Sequence, residues 1–178
     1  MTTPVRLIPM LCIRCQNPLP AQPGETAWVC SNCGQGQLLS DEQGLEALEV
    51  HFAAGLPAGK PGRPFWVAEG TVRLQRETYR GDQSGAMQAF WGAPRRFFVP
   101  AYELALPELV ETGLRLLQQP PALQAGSPAA FLPVSVPPTD VRPLAEFILL
   151  AVEAARKDDL RELRFDLSLS AAELWVLP

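Results

Sequence analysis

The sequence predicts an α+β fold: a small N-terminal module built around a metal, followed by a mostly antiparallel sheet carrying two helices. Three observations carry that expectation. All four cysteines fall within the first 33 residues, as two Cys-x-x-Cys pairs. From Phe65 onward, several stretches alternate apolar and polar residues with the period of a strand. Residues 105–121 and 140–158 instead repeat apolar side chains at helical spacing.

Bulk properties set the bounds. The chain has 178 residues, 47% hydrophobic and 19% charged, a globular composition sufficient for one ordinary domain plus a small appendage. Its formal net charge is -4. The opening "MTTPVRLIPML" is too weakly apolar for a secretory signal, and "LAEFILLAVEAA" is too short and too charged to span a bilayer. The expectation is a soluble, cytoplasmic protein. In that compartment paired cysteines read as metal ligands before disulfides.

The first element is the cysteine module. Cys12, Cys15, Cys30 and Cys33 follow the pattern C-x2-C-x14-C-x2-C. Two residues between cysteines let a tight turn aim both sulfurs at one ion, and Asn17 and Gly34 offer conformational freedom just after each pair. "ETAWV" before Cys30 reads as a short strand leading into the second turn. One structural zinc ion is the foremost reading, with a rubredoxin-like iron site and redox-active dithiols left open beside it.

The stretch from Leu11 to Leu39 resembles a zinc ribbon with rubredoxin-like knuckles. Further along, "RPFWVAEG", "FFVPAYEL" and "ELWVLP" are of one aromatic-aliphatic type, and this order is similar to bacterial zinc-ribbon proteins in which a ribbon precedes segments of that type. That resemblance implies two knuckles on hairpins, with zinc in place of a hydrophobic core, and implies no activity. Four thiolate ligands leave no open coordination position, so such an ion folds the segment and does not catalyse.

After the cysteines, Ser40 and Gln43 fit a helix capping box, yet Leu48, Val50 and Phe52 alternate with Ala47, Glu49 and His51. A hairpin turning at "DEQG" is favoured, so the first module spans residues 1–54. "GLPAGKPGRP", residues 55–64, reads as a linker, and residues 65–178 as the α+β domain.

The domain opens with "FWVAEGTVRLQRETY". Trp66, Ala68, Val72 and Leu74 fall on one face and Glu69, Thr71, Arg73 and Gln75 on the other, as in a half-buried strand. "RRFFVPAYEL" is a second strand whose proline suits a sheet edge. In "ALPELVETGLRLLQQPP", Leu106, Leu109, Val110, Leu114 and Leu117 share a helix face, with Pro107 in the first turn and Gly113 placed for close packing. "AFLPVSV" suggests a short strand. "DVRPLAEFILLAVEAARKD" is a helix with Leu144, Phe147, Ile148, Ala151, Val152 and Ala155 on one face. "LRFDLSLSAAELWVLP" reads as a closing hairpin.

Function is less legible. The chain has a single histidine, His51, on the polar side of its strand, and no H-E-x-x-H, G-x-S-x-G, P-loop or dinucleotide motif. The expectation is that the protein is not an enzyme. Residues 1–59 carry two basic and five acidic side chains, which argues against phosphate binding by the cysteine module. Residues 60–100 hold seven basic and three acidic side chains, and residues 101–178 six basic and eleven acidic. Between the first two strands of the domain, "RGDQSGAMQAFWGAPRR" is long for a connection and sets Phe90 and Trp91 beside Arg95 and Arg96. Aromatic and arginine side chains dominate interface hot spots, so these four are candidate partner-binding residues for a protein or a second copy of the chain. The expected function is a non-catalytic zinc-ribbon adaptor or assembly subunit. A nucleic-acid-associated protein using the basic 60–100 segment is the alternative.

Overall fold

The computed structural model describes residues 7–178. Strands β1 (Ala27–Val29), β2 (Gly36–Ser40) and β3 (Gly44–Ala47) form a three-stranded antiparallel sheet in that order. The hairpin expected at "DEQG" is the turn between β2 and β3, but its second strand stops at Ala47. Strand β4 (Val50–Phe52) departs from it and lies parallel to the last strand, β8 (Glu173–Leu177), at one edge of the larger sheet. The expected first module thus contributes its final strand to the domain.

That larger sheet is organised by β5 (Arg63–Arg80), an 18-residue strand. Its first half is buried on both faces. Trp66 packs into the main core, while Phe65 and Val67 join Phe98, Tyr102 and Leu177 in a second cluster on the opposite side. Past Glu69 the strand alternates as the sequence predicts, with Val72 buried and Thr71, Arg73 and Gln75 exposed. Strand β6 (Arg95–Pro100) pairs antiparallel with residues 65–70 and forms the other edge, where its terminal proline is tolerated.

The closing hairpin is not formed. Both β7 (Asp159–Leu169) and β8 run antiparallel to β5: Gly70 lies opposite Leu169 and Val67 opposite Glu173. Gly70 also pairs with Arg95 of β6, so β7 must occupy the same side of β5 as β8. The two segments are one edge track broken by Ser170–Ala172. There the Ser170 amide donates to the Glu69 carbonyl at 2.8 Å, and the Glu69 amide donates to Ser170 Oγ at 3.0 Å. A Ser-Ala-Ala sequence suits a turn as well as a bulge, and the tertiary pairing with β5 selects the bulge.

Three helices cover the main-core face, one more than expected. Helix α1 (Ser84–Trp91) replaces the anticipated loop. Helix α2 (Leu106–Gln118) buries Leu109, Gly113 and Leu117. Gly113 earns its place by close approach: a Cβ there would stand 2.2 Å from Ile148 Cδ1. After a 3-10 turn at Pro138–Asp140, helix α3 (Val141–Ala154) buries Val141, Ala145, Ile148, Leu149 and Val152. Its buried face is rotated from the expected one, leaving Phe147 47% exposed. "AFLPVSV" makes only isolated bridges, Phe131 to Gly62 and Val134 to Ala27, because Pro133 between them offers no amide proton.

The 55–64 segment is tied down. The Gly62 amide donates to the Ala130 carbonyl at 2.8 Å, and the Leu132 amide to the Gly62 carbonyl at 2.9 Å. Across the junction, the Thr26 amide donates to the Val134 carbonyl at 2.7 Å, and Ala27 belongs to the main core. Among the described residues, no helix is long and apolar enough to cross a membrane.

Candidate metal centre

Two turns of the same construction bring the cysteines together. In the first, the Cys12 amide donates to the Asn17 carbonyl at 2.8 Å and the Gln16 amide to the Cys12 carbonyl at 2.9 Å. In the second, the Cys30 amide donates to the Gln35 carbonyl at 2.9 Å and the Gly34 amide to the Cys30 carbonyl at 2.8 Å. Each turn needs one left-handed residue after its second cysteine. Gly34 fills that place at φ 73°, as expected, but in the first turn it is Gln16 at φ 59°, not Asn17.

The four Sγ atoms all lie within 4.8 Å of one another, and the Cys12–Cys33 and Cys15–Cys30 separations are each 3.6 Å. Sulfurs about 2.3 Å from one tetrahedral ion stand about 3.8 Å apart, so this donor set fits a single thiolate-bound metal. No disulfide joins them. The arrangement is one that could hold an ion through four sulfurs.

The thiols are electrically unequal. The Asn17 amide and the Asn32 side chain favour the Cys15 thiolate and lower its pKa to about 6. Burial opposes ionisation of Cys12, but the amides of Cys15 and Arg14 and the Cys33 thiol outweigh it, so that pKa also falls. At Cys33 the Gln35 amide favours the thiolate, yet burial and the three neighbouring sulfurs together push it up to about 12. Four sulfurs this close cannot all carry charge without a cation among them.

Support for the first turn comes from a residue that no sequence signal singled out. Gln37 in β2 is fully buried, and its Oε1 accepts the Ile13 amide at 2.8 Å, from inside the Cys12–Cys15 turn. Its Nε2 finds no partner among the described residues. Around the cysteines, Leu19 and Trp28 are buried with Met10, Leu39 and Leu45 against them, and Trp28 Nε1 donates to Glu25 Oε2 at 2.7 Å. This small apolar cluster is too thin to fold a segment alone.

The candidate partner-binding residues do not share a surface. Trp91 is 6% exposed, stacks on Phe97 and donates from Nε1 to Glu153 Oε1 at 2.8 Å. It is a core residue, and the docking role expected of it does not carry over. Phe90 is half-buried, with the Arg95 guanidinium 4.2 Å above its ring and Arg95 Nε donating to its carbonyl at 2.7 Å. Arg96 is exposed opposite Glu69, and as Arg95's neighbour on a strand it faces the other side of the sheet.

The basic excess of residues 60–100 is likewise dispersed. Arg63 donates to the Pro178 carbonyl. Arg76 is buried and gives both terminal nitrogens to Asp158 at 2.7 Å, with Nε 3.4 Å from Glu153. His51, the single histidine, stacks on Trp175 with ring centroids 4.8 Å apart. It borders an open cleft of 610 Å³ between the β2–β4 region and residues 125–128. Comparison with protein-family models, curated proteins and solved structures gives no match to the chain.

Proposed function

We propose that Cys12, Cys15, Cys30 and Cys33 bind one structural zinc ion and that the chain is a non-catalytic zinc-ribbon adaptor or assembly subunit. The observation that carries the zinc reading is the closed set of four thiols with tetrahedral spacing. When bound, zinc would supply the two positive charges that let four sulfurs ionise together and would fix the two turns to each other.

The adaptor reading is supported by surface chemistry. Leu7, Leu11 and Ile13 are 90%, 36% and 40% exposed beside the first turn, and together with Leu45 they line a shallow groove of 240 Å³. An apolar, negatively charged module suits a protein surface better than a phosphate backbone. Elemental analysis of the purified chain is expected to give one zinc per chain. Iron, or four free thiols in an intact fold, would overturn the zinc reading. The adaptor reading predicts a protein that co-purifies from native extract and stays bound after nuclease treatment. Binding that instead falls steeply with salt and is lost on nuclease treatment would retire it.

A further inference from the structure

Beyond Gly70 the sheet narrows to two strands. The pairing of β6 ends at Gly70, and from Thr71 to Arg80 the only partner strand of β5 among the described residues is β7. The outer edge of β7, turned away from β5, faces no strand among the described residues, although the same edge is filled further along where β4 pairs β8. Helix α1 packs against β5. Strand β7 is 11 residues long. An open edge of that length presents a row of unpaired backbone groups, which proteins usually blunt with proline, bulges, very short strands or charged side chains. Along Leu163–Leu169, β7 carries only the last of these, as Arg164 and Asp166. Here there is no proline, and the register breaks lie at the far end, between Glu77 and Arg80, leaving Leu163–Leu169 regular.

The ladder shows which backbone groups point outward. The Ser170 amide donates to Glu69, so the pairs at two-residue steps from it, Thr71–Ser168, Arg73–Asp166 and Gln75–Arg164, are those bonded to β5. The amides and carbonyls of Leu163, Phe165 and Leu167 therefore point to the open edge. We infer that this edge pairs antiparallel with β7 of a second copy of the chain, centred on Phe165.

Charge selects that register. Centred on Phe165, Arg164 stands opposite Asp166 of the other copy, twice by symmetry, and Leu163 stands opposite Leu167. Centred on Arg164, the strand would set Arg164 against itself and Glu162 against Asp166. Centred on Leu163, it would pair Glu162 with Arg164 but leave Asp166 opposite Leu160. The faces agree as well: Leu163, Phe165 and Leu167 share the inner face with Val72 and Leu74, so pairing continues a half-buried apolar surface. This inference rests on the sheet and is independent of the metal reading.

The mass of the full chain in solution tests it. Light scattering across a concentration series is expected to show a dimer, and a monomer up to about 100 µM would overturn the inference. Arg164→Asp and Asp166→Arg each place like charges opposite one another at both symmetric positions and should each weaken the dimer by about tenfold or more. Mixing the two variants should restore it, because each introduced charge then meets its opposite. Failure to restore overturns the register, and undiminished dimers of either variant overturn the surface. Hydrogen exchange on the unmodified chain gives an independent reading. The Leu163, Phe165 and Leu167 amides should slow as concentration rises while those of Arg164 and Asp166 do not, and no such contrast would count against the pairing.

Discussion

Gln37 takes the Ile13 amide from inside the first cysteine turn, so it holds that turn against β2 without being one of the candidate ligands. Gln37→Leu keeps the bulk and removes the acceptor, leaving a buried amide unsatisfied at about 1–3 kcal/mol. Outer-shell losses of this kind weaken metal affinity about 10–100-fold, and competition against a chromogenic chelator measures it. An unchanged affinity would show that the hydrogen bond is incidental. The unequal thiols give a second expectation. The bound state needs four thiolates, whereas the metal-free cluster keeps a proton on Cys33, whose pKa is about 12. Binding therefore releases protons, and affinity falls as pH falls. The fall should steepen below pH 6, where Cys15, with its pKa of about 6, takes up a further proton. A flat affinity profile through that range would contradict the ligand set. The cysteines were legible because their spacing is itself the signal. Gln37 was not, since a glutamine in "GQLLS" acquires its role only when a turn 24 residues away is brought onto it. Gln16 shows the same limit in its left-handed conformation, because asparagine is the commoner choice there and only the turn's hydrogen bonds decide.

Among the elements, α1 is where sequence and structure part most. Its eight residues include two alanines and a glycine, and its N-cap residue Gln83 makes no capping bond, the Ser84 amide going instead to Asp82 Oδ1 at 2.8 Å, so the usual N-cap and periodicity signals do not mark it. What holds it is tertiary: Met87 and Trp91 enter the core, and Trp91 reaches Glu153 at the end of α3. Glu153 is 1% exposed and also receives Arg156 at 2.8 Å, while Arg76 spans to Asp158, whose Oδ2 accepts the Gln83 amide just before α1. A balanced set of two arginines and two carboxylates thus ties α1, α3 and β5 together. Trp91→Ala should lower stability by about 3–5 kcal/mol, as for other large core truncations, measured by denaturant unfolding. Trp91→Phe keeps an aromatic ring for the stacking but loses the hydrogen bond to Glu153 and some core volume, and should cost less than Trp91→Ala, about 1.5–3 kcal/mol. A near-neutral Trp91→Ala would return that side chain to the surface role the sequence suggested. The strand β5 and the existence of α2 and α3 were readable because long periodic segments average out local ambiguity. The last two segments were readable as strands, but their pairing was not, because it depends on β5 running alongside both of them.

At the scale of the whole molecule, the metal centre and the sheet are mechanically joined. Strand β4 leaves the cysteine module to pair with β8, Ala27 lies in the main core, and Leu38, Leu48 and Val50 pack against it. The proline- and glycine-rich stretch that looked like a boundary is bonded to residues 130–132 instead. Composition signals a boundary only through chain flexibility, and flexibility is removed when neighbouring loops supply hydrogen bonds. Releasing the metal should therefore be felt beyond the cysteines. Without it, four sulfurs and a thin apolar cluster cannot hold β1 and β2 in place, and Ala27 and Leu38 would expose part of the main core as they move. If the ion is present at about 100 times its Kd, its removal costs about 2.7 kcal/mol. In a chain of this size that lowers Tm by roughly 5–11 °C. Calorimetry of the full chain with and without chelator, repeated on Cys30→Ser, is expected to show one transition moving down as a unit. A separate low transition followed by an unshifted main one would mean that the module and the sheet unfold independently despite their shared core.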